Sequence, residues 1–519
     1  MGSLRTGSDL LEQSLANMYV LGLDIGTGGT RALVINERGR RIASAAEEHA
    51  PFVSPEIGYA EQWPDDWWRA ACAAVQKVLA SGNLSADQIA CVGLSGQMHG
   101  AVILDGADKV VRPALIWCDV RTQRQCDWLN ERFGPDGILR LTCNPALTNF
   151  TLTKCLWVRE NEPGNWKRAR SVMLPKDYVR FRLTGERAID VADASGTLML
   201  DVARRKWSRE VLEAAEIPES ILPSVFESTE ICGKVSPAAA SAIGLKAGTP
   251  VVAGAGDQAA GAIGMGIVAP GSASATIGTS GVVFAATDGP ALDPHGRLHT
   301  FCHAIPGRWH VMGVTQSAGL SLRWFRDHFC GASQDGRVTY DRLTAEASTV
   351  APGADGLLWA PYLMGERTPH LDANARGALI GLTATHTRAH VVRAILEGVA
   401  FSLKDSFALI EELNLPVKSI RLGGGGAKSV LWRQIQADVY GREVEIVNSE
   451  EGAAFGAAIL AGVGFGFWPS VDAACNAIVR VVSRVGPQEK VKSVMERSYA
   501  AYRRMYPAVR AILHGNTSN

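Results

Sequence analysis

Two acidic residues stand apart from their surroundings. Asp24 lies in Leu21–Arg31, LGLDIGTGGTR, with an apolar run before it and glycines and threonines after it. A β-like run, Ala32–Ile35, follows, and then a turn at residues 36–39. The pattern is strand, glycine-rich turn, strand. The P-loop and the dinucleotide fingerprint run from strand into helix and are therefore different. Such a turn leaves backbone N–H groups bare and lets a polyanion approach the main chain. A carboxylate beside phosphates makes sense when a divalent cation stands between them; the bland alternative is a plain hairpin with an incidental acid. Asp257 is the only charged residue between Lys246 and Asp288. An acid in a glycine and alanine setting is poorly solvated, so it must be paired, metal-linked or raised in pKa. Acids perturbed in this way mark functional sites. The alternative here is a helix N-cap.

The elements that must position these acids form two similar halves. Val251–Ala253 reads as a buried strand that runs through glycines to Asp257 and then into a helix. Thr276-Ile277-Gly278-Thr279-Ser280-Gly281 echoes Asp24-Ile25-Gly26-Thr27-Gly28-Gly29, again as strand, turn and strand. The pair predicts an internal duplication with one phosphate-type hairpin per half. Gly423–Ser429, GGGGAKS, follows a strand at Ser419–Leu422. It fails the P-loop pattern at Ala427 but still allows a base or ribose to lie against the main chain.

A buried strand at Gln88–Ser95 leads to Gln97-Met98-His99-Gly100. Ligands of open α/β sheets bind beyond the carboxyl ends of strands. Gln and His there suit a polyhydroxylated ligand, although a core histidine bonded to a carbonyl fits equally. Trp117-Cys118-Asp119-Val120-Arg121 joins an aromatic face to an acid, as sugar sites do; a turn with a surface ion pair is the alternative. Asp177 stands where a strand yields to a helix and reads as an N-cap. Asp190–Thr197 reads as a polar loop, either a site wall or a turn. Glycine 365 to Pro369, GERTP, is a charged loop after a strand. Residues 385–413 are the clearest helix, and a helix over 65–79 buries Trp67 and Trp68 as core.

Lysine plus arginine equals aspartate plus glutamate at 52 each, which argues against a nucleic-acid surface or a polybasic membrane patch. The ten cysteines are scattered without zinc spacing, as expected of reduced residues in a cytoplasmic protein. Residues 1–17 have no apolar h-region and read as a leader without fixed structure ahead of Met18. No apolar run is long enough to predict a membrane span.

In order and spacing, LGLDIGTGGTR, GLSGQMHG, WCDVR, LPKDYVRFRLTGE, AGAGDQAAGAIG, IGTSG, PYLMGERTPH and LGGGGAKS resemble the FGGY carbohydrate kinases over residues 18–507. The resemblance implies an α/β fold of two actin-like, ribonuclease-H-like domains, 18–254 and 255–510, with a cleft between them and a short tail at 511–519. It implies ATP and Mg2+ as cofactors, a small sugar as partner, and phosphorylation of D-xylulose to D-xylulose 5-phosphate. Another ketopentose or polyol (ribulose, glycerol or gluconate) remains open, as does a homodimer. Outside the family, an actin-like ATPase without a sugar substrate and a non-enzymatic sugar sensor are the competing classes. Asp257 is implied as general base and Asp24 as the residue near magnesium and phosphates, with metal contact through water. Gln97, Met98, His99, Trp117, Asp119, Asp257 and Gln258 are expected around the sugar. Gly26, Thr27, Gly28, Arg31, Gly278, Thr279, Ser280, Gly319, Gly425, Gly426 and Ala427 are expected around the nucleotide. Glycines stand at 28 and 29 where the family often has a hydroxyl residue. Gln258 stands where the members acting on D-xylulose commonly have asparagine.

Overall fold

The computed structural model describes residues 18–134, 136–333, 336–449 and 451–514. The expected leader at 1–17 and residues 515–519 of the expected tail lie outside the described residues. The first sheet comprises β1 (Tyr19–Ile25), β2 (Gly29–Ile35), β3 (Arg41–Glu48), β4 (Ile89–Gly96), β5 (Ile231–Lys234), β6 (Pro250–Val252) and β7 (Ala255–Gly256). Its order is β5-β6-β4-β1-β2-β3, with β7 also on β4. The second sheet comprises β8 (Gly271–Ile277), β9 (Gly281–Thr287), β10 (His299–Cys302), β11 (Trp309–Thr315), β12 (Val417–Gly424), β13 (Val444–Val447) and β14 (Val481–Val485). Its order is β10-β11-β9-β8-β12-β13-β14.

The two sheets share a topology. In each, a three-stranded antiparallel meander (β1-β2-β3, and β8-β9-β11) is joined at its first strand by a parallel strand, β4 or β12. Asp24 and Thr276 are the penultimate residues of β1 and β8. The duplication legible in the two hairpins is thus a duplication of whole sheets, in the two-domain α/β arrangement expected.

Helix α1 (Pro64–Gly82) covers one face of the first sheet, burying Trp67 and Trp68 against Leu21, Leu23 and Ile25. Pro64 at its start, and Asp65 and Asp66 in its first turn, suit a helix N-terminus. The other face is covered by α3 (Asp257–Gly264) and α7 (Gly452–Phe465). Between them in sequence come α4 (Gly319–Phe329), α5 (Arg388–Glu412) and α6 (Val430–Tyr440). The α5 and α6 helices pack on the second sheet. A Cβ at Gly22 would strike the Ala454 carbonyl and one at Gly93 the Ala457 carbonyl, so the α7 backbone lies directly on β1 and β4. Residues 255 and 256, as β7, also pair with β4 in the first sheet, and α7 returns to it. Among the described residues no helix is long and apolar enough to cross a membrane.

Two local expectations are corrected. Asp177 is not an N-cap: it lies within the first turn of α2 (Pro175–Thr184), fully buried, paired with Lys176 at 2.5 Å and Arg180 at 2.8 Å. Residues 190–197 are not an open loop. Asp190 caps a short helix, Val191–Ser195, by accepting from the N–H groups of Ala192 and Asp193. The chain's last described stretch forms two helices, Lys492–Tyr502 and Met505–His514.

Candidate active site

The first hairpin is held from below by a polar network. Gly26 N–H donates to the Gly29 carbonyl at 3.0 Å and closes the turn. The Gln62 amide donates to the Thr27 carbonyl at 2.8 Å, and Gln62 itself accepts from Gln97 at 3.1 Å and from the Trp67 ring at 3.2 Å. The Trp117 ring donates to the Thr27 hydroxyl at 2.9 Å, while Thr30 pairs with His49 at 2.9 Å. Gln97 and Trp117, expected beside the sugar, are thus hydrogen-bonded to the hairpin and its support. Gly28 at the tip is exposed. Arg31, expected at the nucleotide, pairs with Glu451 at 2.7 Å, which Arg41 also holds at 2.5 Å. Gln62 and His49 carry no glycine or charge signal, and the sequence pattern does not single them out as site residues.

Asp24 sits in β1 between Arg31 on β2 and Ser95 on β4 in the ladder. Its Oδ1 is buried without a hydrogen-bond partner among the described residues. Burial pushes its pKa up against the opposing pull of Ser95 and Arg31. Asp257 is the first residue of α3, directly after β7. The capping position is Gly256, so Asp257 is not the N-cap. A Cβ at Gly256 would stand 2.8 Å from Asp193 and 2.9 Å from Met98, so only glycine fits there. Burial, and then repulsion from Asp24, raise Asp257 to about 7, while the backbone and side chain of Gln258 pull the other way. Two acids close enough to repel, one with an orphaned oxygen, fit a divalent cation of the hard, oxygen-seeking kind. Asp24 is the residue that would hold it.

Behind this junction lies a buried charge cluster. The Lys176 ammonium stands 2.5 Å from Asp177, 2.7 Å from Asp190 and 3.2 Å from Asp193. The three carboxylates could otherwise gather a cation, but the ammonium already occupies that position.

His99 follows β4 with a left-handed backbone, φ 67°. Its Nδ1 faces the Gly196 carbonyl at 2.7 Å. A carbonyl only accepts, so Nδ1 carries the proton and Nε2 is left as an acceptor. Burial lowers the pKa to about 3, so the ring stays neutral. The His99 carbonyl accepts from Lys154 at 2.9 Å and Thr151 at 3.2 Å, which fixes the unusual backbone. The carbonyl-bonded histidine expected as the alternative is what the structure shows at Nδ1, while Nε2 has no hydrogen-bond partner among the described residues. Met98 packs with Phe301 and Val314 of the second half.

Asp119 does not keep the role expected of it. It is fully buried; its oxygens accept from Ala60 N–H at 2.7 Å and from Arg121 at 2.7 to 3.1 Å. With those acceptor positions filled it is a strut of the wall, and a sugar hydroxyl finds no free oxygen there.

The second hairpin lies across the cleft region on the other sheet. Gly278 N–H donates to Ser280 at 2.9 Å, and the N–H groups of Ala318 and Gly319 donate to the carbonyls of Thr279 and Gly278 at 3.0 and 2.9 Å. Gly319 comes so close that any side chain would strike the Gly278 carbonyl. Gly424, at φ 71°, brings Gly425–Ala427 against Ile277. Gly278, Thr279, Gly319, Gly425 and Gly426 line a cavity of about 340 Å³, whose apolar walls are Leu322 and Trp432. Ser280 and Ala427, also expected there, are not among its lining residues. Tyr340, Asp341 and Thr344 do line it. They sit on a separate helix, Tyr340–Ser348, that carries no glycine-rich turn of its own.

Two family profiles match in series. "FGGY family of carbohydrate kinases, N-terminal domain" covers residues 19–264 and the corresponding C-terminal domain covers 273–465. The chain belongs to the FGGY family of carbohydrate kinases. This FGGY kinase is 38% identical to the xylulose kinase of Bacillus subtilis (strain 168), over 94% of this chain and 96% of that one. It is 33% identical to the gluconokinase of the same strain, over 89% and 90%. The crystal structure of xylulose kinase from Rhodospirillum rubrum superposes with a TM-score of 0.87 at 29% identity, covering 96% of this chain and all of that one.

Proposed function

We propose that this FGGY kinase transfers the γ-phosphate of ATP to D-xylulose, giving D-xylulose 5-phosphate. The carrying observation is the carboxylate pair, Asp257 raised to about 7 beside the orphaned oxygen of Asp24. Phosphoryl transfer needs positioning and charge neutralisation more than covalent chemistry. Asp257 accepts the proton of the attacking hydroxyl, and a base near neutral pKa suits that work. Asp24 would hold magnesium, which when bound neutralises charge on the β- and γ-phosphates. The cavity along Gly278, Gly319 and Gly425 takes the nucleotide, and the bare N–H groups of the two hairpins face its phosphates. Met98 and the free Nε2 of His99 form the sugar wall. Similarity to xylulose kinases over nearly the full chain supports the substrate.

A second reading, gluconate, is favoured by the 33% identical gluconokinase and by an unpaired guanidinium described below. The deciding assay is ADP release from Mg-ATP with D-xylulose, D-ribulose, L-ribulose, L-xylulose, glycerol, gluconate and no sugar. D-Xylulose is expected to lead in kcat/KM. A lead by gluconate overturns the substrate, and equal ATP use without sugar returns the chain to the actin-like ATPases.

A further inference from the structure

The GERTP loop carries the most unusual cation of the cleft. Glu366 is buried and spends its carboxylate on the Thr315 hydroxyl at 2.5 Å, Gln316 N–H at 2.9 Å and Arg367 N–H at 2.8 Å. Ser402 of α5 donates to Thr315 in turn at 2.8 Å. Thr368 clasps β11: its N–H donates to the Val314 carbonyl at 2.9 Å, and its hydroxyl accepts from Val314 N–H at 3.0 Å. The loop is therefore pinned, and Arg367 precedes Thr368, whose partner Val314 lies in one buried cluster with Met98 and Phe301. Its guanidinium has no carboxylate, carbonyl or hydroxyl partner among the described residues, although Glu366 is adjacent. Its charge is felt by His99 and Lys154 of the first half and by His299 of β10. Around them stand Phe150 and Phe301, 5.0 and 6.0 Å from the His99 ring. Arg367 is half-buried, so its guanidinium keeps some solvent and has donors to offer a ligand at this partly apolar wall. The Lys154 ammonium is instead taken by the carbonyls of His99 and Asn149.

We propose that Arg367 is a sugar-contacting residue, delivered from the second half to donate hydrogen bonds to substrate oxygens while His99 Nε2 accepts from a neighbouring hydroxyl. The pair is complementary: Arg367 only donates, and neutral His99 presents a lone pair. An α-hydroxy ketone offers a carbonyl for the first and a hydroxyl for the second. The inference rests on the kinase reading but not on which sugar wins, since a carboxylate would also meet the guanidinium.

The test uses the full chain with Arg367→Met, which keeps the stem and removes the donors, and Arg367→Lys, which keeps the charge. The wild type is first run on the sugar panel, so a wrong sugar is detected there, and KM is then read on the sugar that leads. The expected result is a 10- to 100-fold rise in sugar KM for Arg367→Met, with KM for ATP within twofold, and partial recovery in Arg367→Lys. Tryptophan fluorescence titration with sugar alone should weaken in parallel. A sugar KM within threefold of wild type in both variants overturns the proposal. So does a joint rise of both KM values with a lowered melting midpoint in both, which marks a purely structural loop. Should Arg367→Met fail to fold, the sugar KM of Arg367→Lys decides: unchanged, the proposal falls.

Discussion

Asp257 carries opposite consequences for activity and stability. Its folded pKa of about 7 lies above the ordinary carboxylate value of 3.8. Ionising it costs the folded state more than the unfolded one, so its destabilising effect is absent below pH 4, grows from there to about pH 7 and is complete above. Asp257→Asn should therefore raise stability at pH 8 by up to about 4 kcal/mol while leaving it unchanged near pH 4. Denaturant midpoints at the two pH values check this, and equal shifts at both would sink it. The same variant should lose at least about a thousandfold in kcat while ATP and sugar still bind. In the wild type, kcat/KM for the sugar should rise with pH and level off above about 7, because the base works only when ionised. A profile flat from pH 5 to 9 would remove Asp257 as the base. At this scale Asp24, Asp257 and His99 drew notice because each is a polar residue among glycines at a strand end, although the sequence left a hairpin acid, an N-cap and a carbonyl-bonded core histidine as alternatives. The structure removes the N-cap and finds the carbonyl bond. Asp119 misled, because a sequence does not reveal that Arg121 and Ala60 fill its oxygens. Arg367 read only as part of a charged loop, because the clasp of Thr368 onto Val314 of β11 that places it joins segments more than 50 residues apart.

Glycines set the spacing between elements. The α7 helix lies against β1 and β4 because Gly22 and Gly93 have no side chain, and against α3 because Gly456 meets the Ala260 carbonyl. Gly22→Ala should push α7 away and cost about 3 kcal/mol. Gly28→Ala, at the open hairpin tip with nothing within 4 Å, should leave the fold intact. Thermal melts of the two variants test the contrast, and a Gly22→Ala midpoint equal to wild type would show that α7 does not press on the sheet. The Gly28→Ala variant also reports on chemistry, since a methyl group there stands where phosphate is expected. Strands β1, β2, β8 and β12 were legible from apolar runs ended by glycine. The Val191–Ser195 helix was not, because its small and acidic residues mimic a loop until Lys176 neutralises the cluster behind it.

The whole molecule is not two beads on a string. The family profiles divide it between residues 264 and 273, yet the first sheet is finished by a helix from beyond residue 451. Ala454, Phe455, Ala458, Ile459 and Ala461 join Val20, Leu33, Cys91 and Val252 in one buried cluster. A first half ending at residue 264 would leave that face of β1 and β4 bare, an apolar patch of the kind that drives aggregation. Residues 18–264 alone should therefore be insoluble or molten, while the same segment fused through a flexible linker to residues 451–479 should recover sharp unfolding. Circular dichroism melts and hydrogen exchange on β1 and β4 would decide between them. A stable, cooperative first half without α7 would refute this view. In that event the Asp24 and Asp257 ends of the sheet would be positioned by the first domain alone. If the fusion is required, the helix that closes the catalytic sheet is also the covalent continuation of the nucleotide-binding half, through β13 and α7. In that case the proposed nucleotide cavity at Gly425 and Gly426 and the Asp24 end of the first sheet belong to one cooperative unit, and the fusion should unfold in a single transition.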